Sequence, residues 1–313
     1  LNNPEVVVPS KSIPHTLDSQ TRSGDLVEKL DGDNLLCTAC GHLCKLKPGQ
    51  RGICKVRFNS EGTLRVPFRY SAGLQNDPIE KKPFFHALPG SLAMSFGMLG
   101  CDFRCAYCQN WLTSQSLKDE ASTVRTIPVT AGEICHQAIQ HGSKVVVSTY
   151  NEPLITSEWA VEVFQEAKTK KLGTAFVSNG HGTPQVLEYL RPWVDLFKID
   201  LKSFSEKEYR RLGGSLSAVL ETIKTVHSMG IWLELVTLLV PDYNDSDNEM
   251  AGIAEFIAEV SPTIPWHVTA YHPDYKMQDR GRTPVDTLLR ASQHGKKAGL
   301  QFVYAGNLPG QVN

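Results

Sequence analysis

The sequence predicts an α/β protein built on a parallel sheet covered by helices, with a small cysteine-rich appendage ahead of it. Three observations carry that reading. From residue 92 onward, apolar strand-like runs alternate with helical patterns at roughly 30-residue spacing, the length of a βαβ unit. The runs are nearly continuous in apolar residues, as strands buried on both faces must be. Residues 1–91 break this rhythm and hold four of the eight cysteines. Periodicity alone does not choose between a barrel and an open doubly wound sheet.

The predicted strands are Leu92 to Met98, Lys144 to Thr149, Thr174 to Ser178, Leu196 to Leu201, Trp232 to Val240, Trp266 to Tyr271 and Gln301 to Ala305. Between them lie helix start signals: Thr130 with Glu133, Thr183 before Pro184, Ser246 with Glu249, and Thr283 before Pro284. Gly173, Gly230 and Gly299 stand where helices should stop. Ala160, Val163, Phe164 and Ala167 have helical spacing and form a core face, and Cys135 reads as a small buried residue. Ahead of the rhythm, Phe58 to Tyr70 reads as a hairpin around Gly62, and Asp77 to Pro89 as a proline-punctuated connector. The expected organisation is an extension over 1–34, a cysteine-rich appendage and connector over 35–91, and a (β/α) domain over 92–313.

Composition narrows the function. Lys+Arg 32 against Asp+Glu 33 gives a formal charge of −1, which offers no net attraction to nucleic acid phosphates. No apolar run approaches the ~18 residues of a membrane span, and the richest, Ile231 to Val240, contains Glu234 and reads as a buried strand. Leu1 to Asp33 lacks the basic start and apolar centre of a secretion signal and reads as a loose extension or a cut end. The cysteines fall in tight clusters, which suits metal binding in a reducing, cytoplasmic compartment better than a disulfide framework.

Cys101, Cys105 and Cys108 form a CxxxCxxC pattern directly after the first strand of the alternating region. Three thiolates on one loop can hold three irons of a [4Fe-4S] cluster and leave the fourth iron without a protein ligand. Zinc, or cysteines with no ligand, is the alternative; structural zinc usually takes four protein ligands, and this loop supplies three and no His. The pattern, with the aromatic Tyr107 before its last cysteine, resembles the radical S-adenosylmethionine (SAM) superfamily. That resemblance implies a partial or nearly closed (β/α) TIM-like barrel in which SAM binds the open iron. It also implies that one electron cleaves SAM to a 5′-deoxyadenosyl radical, which abstracts hydrogen.

The resemblance extends along the chain at successive strand ends. Ser148 to Pro153 occupies the place of a Gly-Gly-Glu segment that receives the SAM amino group, with Tyr150 and Asn151 in place of the two glycines and Glu152 retained. A plain Glu-Pro helix entry is the structural alternative. Ser178-Asn179-Gly180 is similar to a Thr-Asn-Gly turn of radical SAM activating enzymes, and reads equally as a simple turn. Asp200 and Lys202 resemble an Asp-Leu-Lys strand whose Asp meets the ribose and whose Lys meets the SAM carboxylate; alternation points both to one face. His272 stands where those enzymes place a His near SAM, and Thr237 is an expected adenosine contact. Gly306 to Gly310 reads as a lid or as a turn.

Cys37 to Cys54, the Asp77 to Pro83 stretch, Cys108-Gln109-Asn110-Trp111 and Tyr271 to Met277 together resemble the AmmeMemoRadiSam-system radical SAM enzymes, relatives of pyruvate formate-lyase activating enzyme. Many members continue past the last glycine turn into a further cysteine-containing tail, and the resemblance leaves open whether this C-terminus is trimmed. Cys37, Cys40, Cys44 and Cys54, with His42 as a substitute ligand, form a second metal site for zinc or an auxiliary Fe-S cluster. Expected partners are a one-electron donor such as flavodoxin or ferredoxin and a substrate, either a glycine of a partner protein or a small molecule. A non-catalytic metal-binding interaction module is the competing reading.

Overall fold

The computed structural model describes residues 6–7, 17–122 and 124–307. Eight strands form its central sheet: β1 (Gly73–Pro78), β2 (Leu92–Gly97), β3 (Ser143–Ser148), β4 (Gly173–Ser178), β5 (Leu196–Asp200), β6 (Trp232–Leu239), β7 (Trp266–Ala270) and β8 (Val303–Gly306). Their spatial order is their chain order. β1 runs antiparallel to β2, and every later neighbour pairs in parallel. A doubly wound sheet reverses its strand order at a switch point, and none occurs here, so the winding is that of a barrel. β1 and β8 end the sheet without pairing to each other, which makes the barrel partial.

Among the described residues, seven helices longer than one turn fill the crossovers: α1 (Ala131–Gln140), α2 (Ser157–Thr169), α3 (Pro184–Leu190), α4 (Glu206–Leu212), α5 (Leu216–Ser228), α6 (Asp247–Val260) and α7 (Val285–Ala298). Their starts follow the sequence signals unevenly. Thr130 and Glu133 make a reciprocal capping box, and Thr183 caps α3 with Pro184 at its first position. Ser246 caps α6, but the Glu249 carboxylate turns away and accepts from Ser203 Oγ and the Phe204 N–H, tying α6 to the loop after β5. Thr283 does not cap α7; its hydroxyl donates to the Leu239 carbonyl and accepts from the Tyr271 N–H. Gly299 ends α7 in the left-handed region, whereas Lys171, not Gly173, takes that conformation after α2.

Alternation along each strand sorts the two faces. Phe197, Ile199, Leu233, Leu235, Trp266 and Val268 join the core beneath the helices. The other parity faces inward, and the connector after β1 plugs the lower part of that space: Ile79, Phe84 and Ala87 pack with Ala93, Val145, Val147 and Ala175. Glu234, the charged residue of the apolar β6 run, pins this plug. Its carboxylate accepts from the Phe85 N–H (3.0 Å), the His86 N–H (3.1 Å) and Trp232 Nε1 (3.0 Å), and pairs with His267 Nε2 at 2.7 Å. What remains open is the upper part, at the C-terminal strand ends.

The expected boundary at residue 91 does not divide the structure. β1 belongs to the barrel sheet and pairs along the whole of β2, which shields that edge. The expected loose extension is also ordered from residue 17. Thr21–Ser23 pairs with Thr63–Pro67, and Val27–Lys29 pairs with Leu35–Cys37. The predicted hairpin is present as Phe58–Ser60 and Thr63–Pro67, with Glu61 and Gly62 both at positive φ, 50° and 78°, as a type I′ turn requires.

Arg57 anchors the appendage. Its guanidinium donates to both Glu158 oxygens on α2 (2.6 and 2.8 Å), to the Ile155 carbonyl (3.1 Å) and to Cys37 Sγ (3.2 Å). Burial pushes the Glu158 carboxyl up, but the charge of Arg57 overrides it and holds the group below its ordinary range. With both side chains at or below 1% exposure, removal of one leaves an unpaired buried charge. Glu158→Ala is therefore expected to destabilise the protein by about 3–5 kcal/mol, read as a fall in the denaturant or thermal midpoint.

Candidate active site

Gly100 ends β2's run at φ 94°, and a Cβ there would meet the Cys54 carbonyl oxygen and Val56 at 2.9 Å, so the appendage presses directly on the following loop. That loop carries Cys101, Cys105 and Cys108 to the C-terminal mouth of the barrel. All three line one cavity of about 120 Å³ with Asn151, Glu152, Ser178, Asn179, Asp200 and Lys202. It adjoins a larger cavity of about 340 Å³, which Tyr107, Cys105, Cys108, Asp200 and Lys202 also line. Residues from four strand ends, expected separately from the sequence, thus meet in one place.

Lys118 Nζ fastens the cysteine loop from below, donating to the Cys101 and Phe103 carbonyls (2.6 and 3.0 Å). From above, the Lys276 and Met277 N–H groups both donate to the Ala106 carbonyl at 3.0 Å. Tyr275 stacks on Trp111 at 5.1 Å and donates to Asp119 at 2.6 Å. The Tyr271 to Met277 motif is therefore a buckle across the cysteine loop. Burial pushes all three thiols up, Cys105 to about 12, with the Lys202 ammonium opposing the rise at Cys105 and Cys108. Three sulfurs gathered on one short loop, that of Cys105 buried and those of Cys101 and Cys108 half-buried, with the Lys202 ammonium nearby, are a donor set suited to a soft metal cluster.

Two buried carboxylates lie beside this loop in different states. Asp102 accepts from Asn179 Nδ2 (2.7 Å) and pairs with His181 Nδ1 (2.9 Å). Burial raises its pKa, but the His181 hydrogen bond and charge and the Asn179 bond hold it below its ordinary value. Glu152 accepts from Ser178 Oγ (2.6 Å), the Asn179 N–H (2.7 Å) and the Leu154 N–H (3.0 Å). Burial, and then the charge of Asp102, push Glu152 up to about 8. Asn151 fixes the turn between them: its Oδ1 accepts from the Met98 N–H, and its Nδ2 donates to the Glu152 carbonyl.

Across the cavity, Asp200 accepts from Lys198 Nζ (2.5 Å) and Lys202 Nζ (3.2 Å). Burial disfavours its charge, yet the two lysines win and lower it to about 2. Lys198 was not anticipated, although the alternation that pairs Asp200 with Lys202 also points Lys198 inward. Asp102 and His181 were missed too; each stands within two residues of a motif position, but their contact spans 79 residues of chain.

Other expectations are not met at the cavity. Thr237 has the opposite parity: its hydroxyl accepts from Trp266 Nε1 (2.9 Å) and donates to the Leu201 carbonyl (3.0 Å), while Val236 and Leu238 line the larger cavity instead. His272 lines neither cavity. Asn307 lines the larger one, and Leu308 to Gly310 lie outside the described residues. In the appendage, Cys37, Cys40 and Cys54 are buried and Cys44 half-buried, and a Cβ on Gly52 would sit 3.6 Å from Cys44 Sγ and 3.7 Å from Cys54 Sγ. His42 is not a substitute ligand there. It faces the other way, with Nε2 3.3 Å from the Asp102 carbonyl and its ring edge-on to His181 at 4.9 Å.

A family model described as the radical SAM superfamily matches residues 97–257. The chain is also 35% identical to the uncharacterized protein MJ0808 of Methanocaldococcus jannaschii, over 92% of its own length and 86% of that protein. The chain belongs to the radical SAM superfamily. It is 24% identical to the pyruvate formate-lyase-activating enzyme of Streptococcus mutans over 59% of this chain and 73% of that one. Among solved structures, a radical SAM methyltransferase from Sphaerobacter thermophilus aligns at a TM-score of 0.54 and 15% identity, covering 70% of this chain and 68% of that one. Streptococcus suis SuiB bound to S-adenosylmethionine aligns at 0.53 and 15% identity, covering 67% and 48%. These likenesses share the fold of the sheet described above.

Membership of the radical SAM superfamily makes the protein an enzyme of SAM-dependent radical chemistry and implies a [4Fe-4S] cluster, which the sulfur donor set fits. The paired carboxylates yield a direct check. Asp102→Asn removes one of the two influences that raise Glu152, so its pKa should fall from about 8 while burial opposes the fall toward the ordinary 4.5. Carbon-13 NMR titration of the glutamate carboxyls reads the shift.

Proposed function

We propose that Cys101, Cys105 and Cys108 hold the [4Fe-4S] cluster and that the surrounding residues bind SAM for hydrogen abstraction. The observation that carries this reading is the convergence of three cysteines, Glu152 and the Lys198–Asp200–Lys202 row on one cavity at the barrel mouth. The cluster that Cys101, Cys105 and Cys108 would hold would supply the single electron that divides SAM into methionine and a 5′-deoxyadenosyl radical, the species that takes hydrogen from the substrate.

The chain's own residues do the rest. Lys202 meets the SAM carboxylate and Asp200 the ribose hydroxyls, charge and acceptor matched to each. Glu152 meets the amino group, and Ser178 and Asn179 aim it by donating to its two oxygens. Tyr107 forms an apolar wall of the larger cavity, its ring edge-on to Tyr243 at 5.6 Å. The plug beneath, pinned by Glu234, closes the floor against water.

An electron donor such as flavodoxin or ferredoxin, and a cytoplasmic setting, accord with a reductively driven cluster. The activating-enzyme names of the relatives favour a partner-protein glycine as substrate. A glycyl radical seen by electron paramagnetic resonance on a co-incubated partner supports that assignment, whereas deuterium transfer from a small metabolite into 5′-deoxyadenosine replaces it. The assignment to the AmmeMemoRadiSam system rests on the motifs quoted above. The four appendage cysteines form a second metal site, and zinc, iron and sulfide analysis of protein lacking the first cluster decides between zinc and an Fe-S cluster.

Anaerobic reconstitution with iron and sulfide, then dithionite and SAM, should release 5′-deoxyadenosine from the native protein and none from Cys105→Ala. Lys202→Gln should weaken SAM binding about tenfold or more, the worth of a charge-assisted hydrogen bond. Release of no 5′-deoxyadenosine from cluster-replete protein would refute the reading. Because an ammonium group pairs with ionised Glu152, SAM affinity should rise with pH below about 8 and stop rising where the amino group of SAM itself loses its proton. The rise approaches about tenfold per pH unit at its steepest. Glu152→Gln should flatten it, as measured by equilibrium dialysis between pH 6 and 8.5.

A further inference from the structure

The Asp77 to Pro83 connector and the tyrosine that stands in place of a motif glycine meet at the cavity, and the reading above uses neither. Lys82 Nζ lies 3.0 Å from the Tyr150 hydroxyl, 3.3 Å from Asp77 Oδ2 and 4.8 Å from the Tyr150 ring centroid, on a side chain only 7% exposed. Tyr150 in turn donates to Gln75 Oε1 at 3.3 Å, so its oxygen is turned to accept from Lys82. Both residues line the larger cavity.

The backbone is arranged to put Tyr150 there. It sits at φ 70°, a region that a bulky residue rarely occupies. Two glycines make room: a Cβ on Gly97 would lie 2.8 Å from Tyr150 Cβ, and one on Gly73 would lie 3.4 Å from its ring. A left-handed tyrosine fitted between glycines on two adjacent strands, with its hydroxyl on a buried lysine, is a specific construction. Strained conformations of this kind concentrate at ligand sites.

Charge says what the construction receives. The larger cavity is lined by Lys81, Lys82, Lys198 and Lys202 against the single carboxylate of Asp200. Behind the wall, Asp77 is shared, with one oxygen 2.7 Å from Lys81 and the other on Lys82. The SAM carboxylate answers the Lys202 side, and the Lys82 side is left with positive charge in excess. Lys82 carries three N–H donors and has two acceptors, which leaves one donor.

We propose that Lys82, oriented by the Tyr150 hydroxyl that accepts from it, is an oxyanion subsite that holds a carboxylate or phosphate group of the substrate. The proposal rests on the radical SAM reading of the same cavity. Entry is from the barrel seam, where a second cavity of about 340 Å³ shares Lys81, Pro83, Thr269 and Asn307 with the first.

The test is equilibrium dialysis of cluster-replete protein with SAM present, using inorganic phosphate and succinate as probes, on native protein, Lys82→Gln and Tyr150→Phe. Saturable one-to-one binding of at least one probe is expected, and the tighter of the two tells a phosphorylated substrate from a carboxylic one. Lys82→Gln should weaken it by about tenfold or more through loss of a charge-assisted hydrogen bond, and Tyr150→Phe by about threefold through loss of the hydroxyl that orients Lys82. Both variants should bind SAM within about twofold of native, unlike Lys202→Gln. Saturable SAM binding with no anion binding by native protein overturns the subsite and spares the radical SAM reading. A loss of SAM affinity in Lys82→Gln as large as in Lys202→Gln makes Lys82 a SAM ligand and overturns it too. Failure of cluster-replete native protein to bind SAM removes the underlying reading and this one with it.

Discussion

One buried carboxylate, Asp102, joins the three parts on which the site depends. It belongs to the cysteine loop, accepts from Asn179 in the turn after β4, and pairs with His181, whose carbonyl accepts from the Gly41 N–H of the appendage. Its charge has a second effect. Asp102 is kept ionised by donors on two sides, and its field adds to burial in pushing up the pKa of its neighbour Glu152. Two carboxylates driven apart in this way divide the labour, one holding structure and the other free to ionise when a cationic ligand arrives. The appendage is consequently part of the site's support rather than a separate module, and the Arg57–Glu158 pair locks it against α2 from the other side.

The same separation operates along the barrel axis. An inward-facing strand position must be apolar, paired or wet. Near the N-terminal ends the connector fills the space with Phe84 and Ala87, and the one acid there, Glu234, is saturated by four donors. Near the C-terminal ends Lys198, Asp200 and Lys202 compensate one another but do not fill the space, and a polar cavity results. The position of the site therefore follows from where the plug stops.

Much of this was legible in the sequence because it is local. Strand runs and helix caps act over a few residues, and the predicted strands agree with the observed ones to within about two residues, the usual scatter at element ends. Parity is equally local, and it explains both a success and an error: Asp200 and Lys202 share a face, while Thr237, one position from the inward Val236 and Leu238, faces the helices. What the sequence could not show is long-range partnership. Glu249 has the spacing of a capping box, yet its carboxylate goes to the loop after β5; Gly73–Pro78 falls within the expected appendage and connector over 35–91, and its pairing with β2 makes it a strand of the barrel sheet. Asp102 stands in plain view between motif cysteines, but its meaning lies in Asn179 and His181.

An incomplete barrel has a lateral seam, and in this protein the seam and the substrate wall are made by the same segment. β1 runs along the seam edge, and the chain then turns inward at Ile79 to become the plug. Between edge and plug it passes Lys81 and Lys82, so the residues that border the seam cavity and the residues that floor the barrel are fixed by one continuous stretch. Closing the sheet would remove the entrance, and loosening the plug would let the Lys82 segment drift from Tyr150. Tyr150 itself keeps its strained backbone only because the glycines that admit it lie on β1 and β2, the two strands held in register by that pairing. The left-handed tyrosine at this motif is thus accommodated by glycines on the two neighbouring strands, so the site's wall and the sheet edge depend on the same residues.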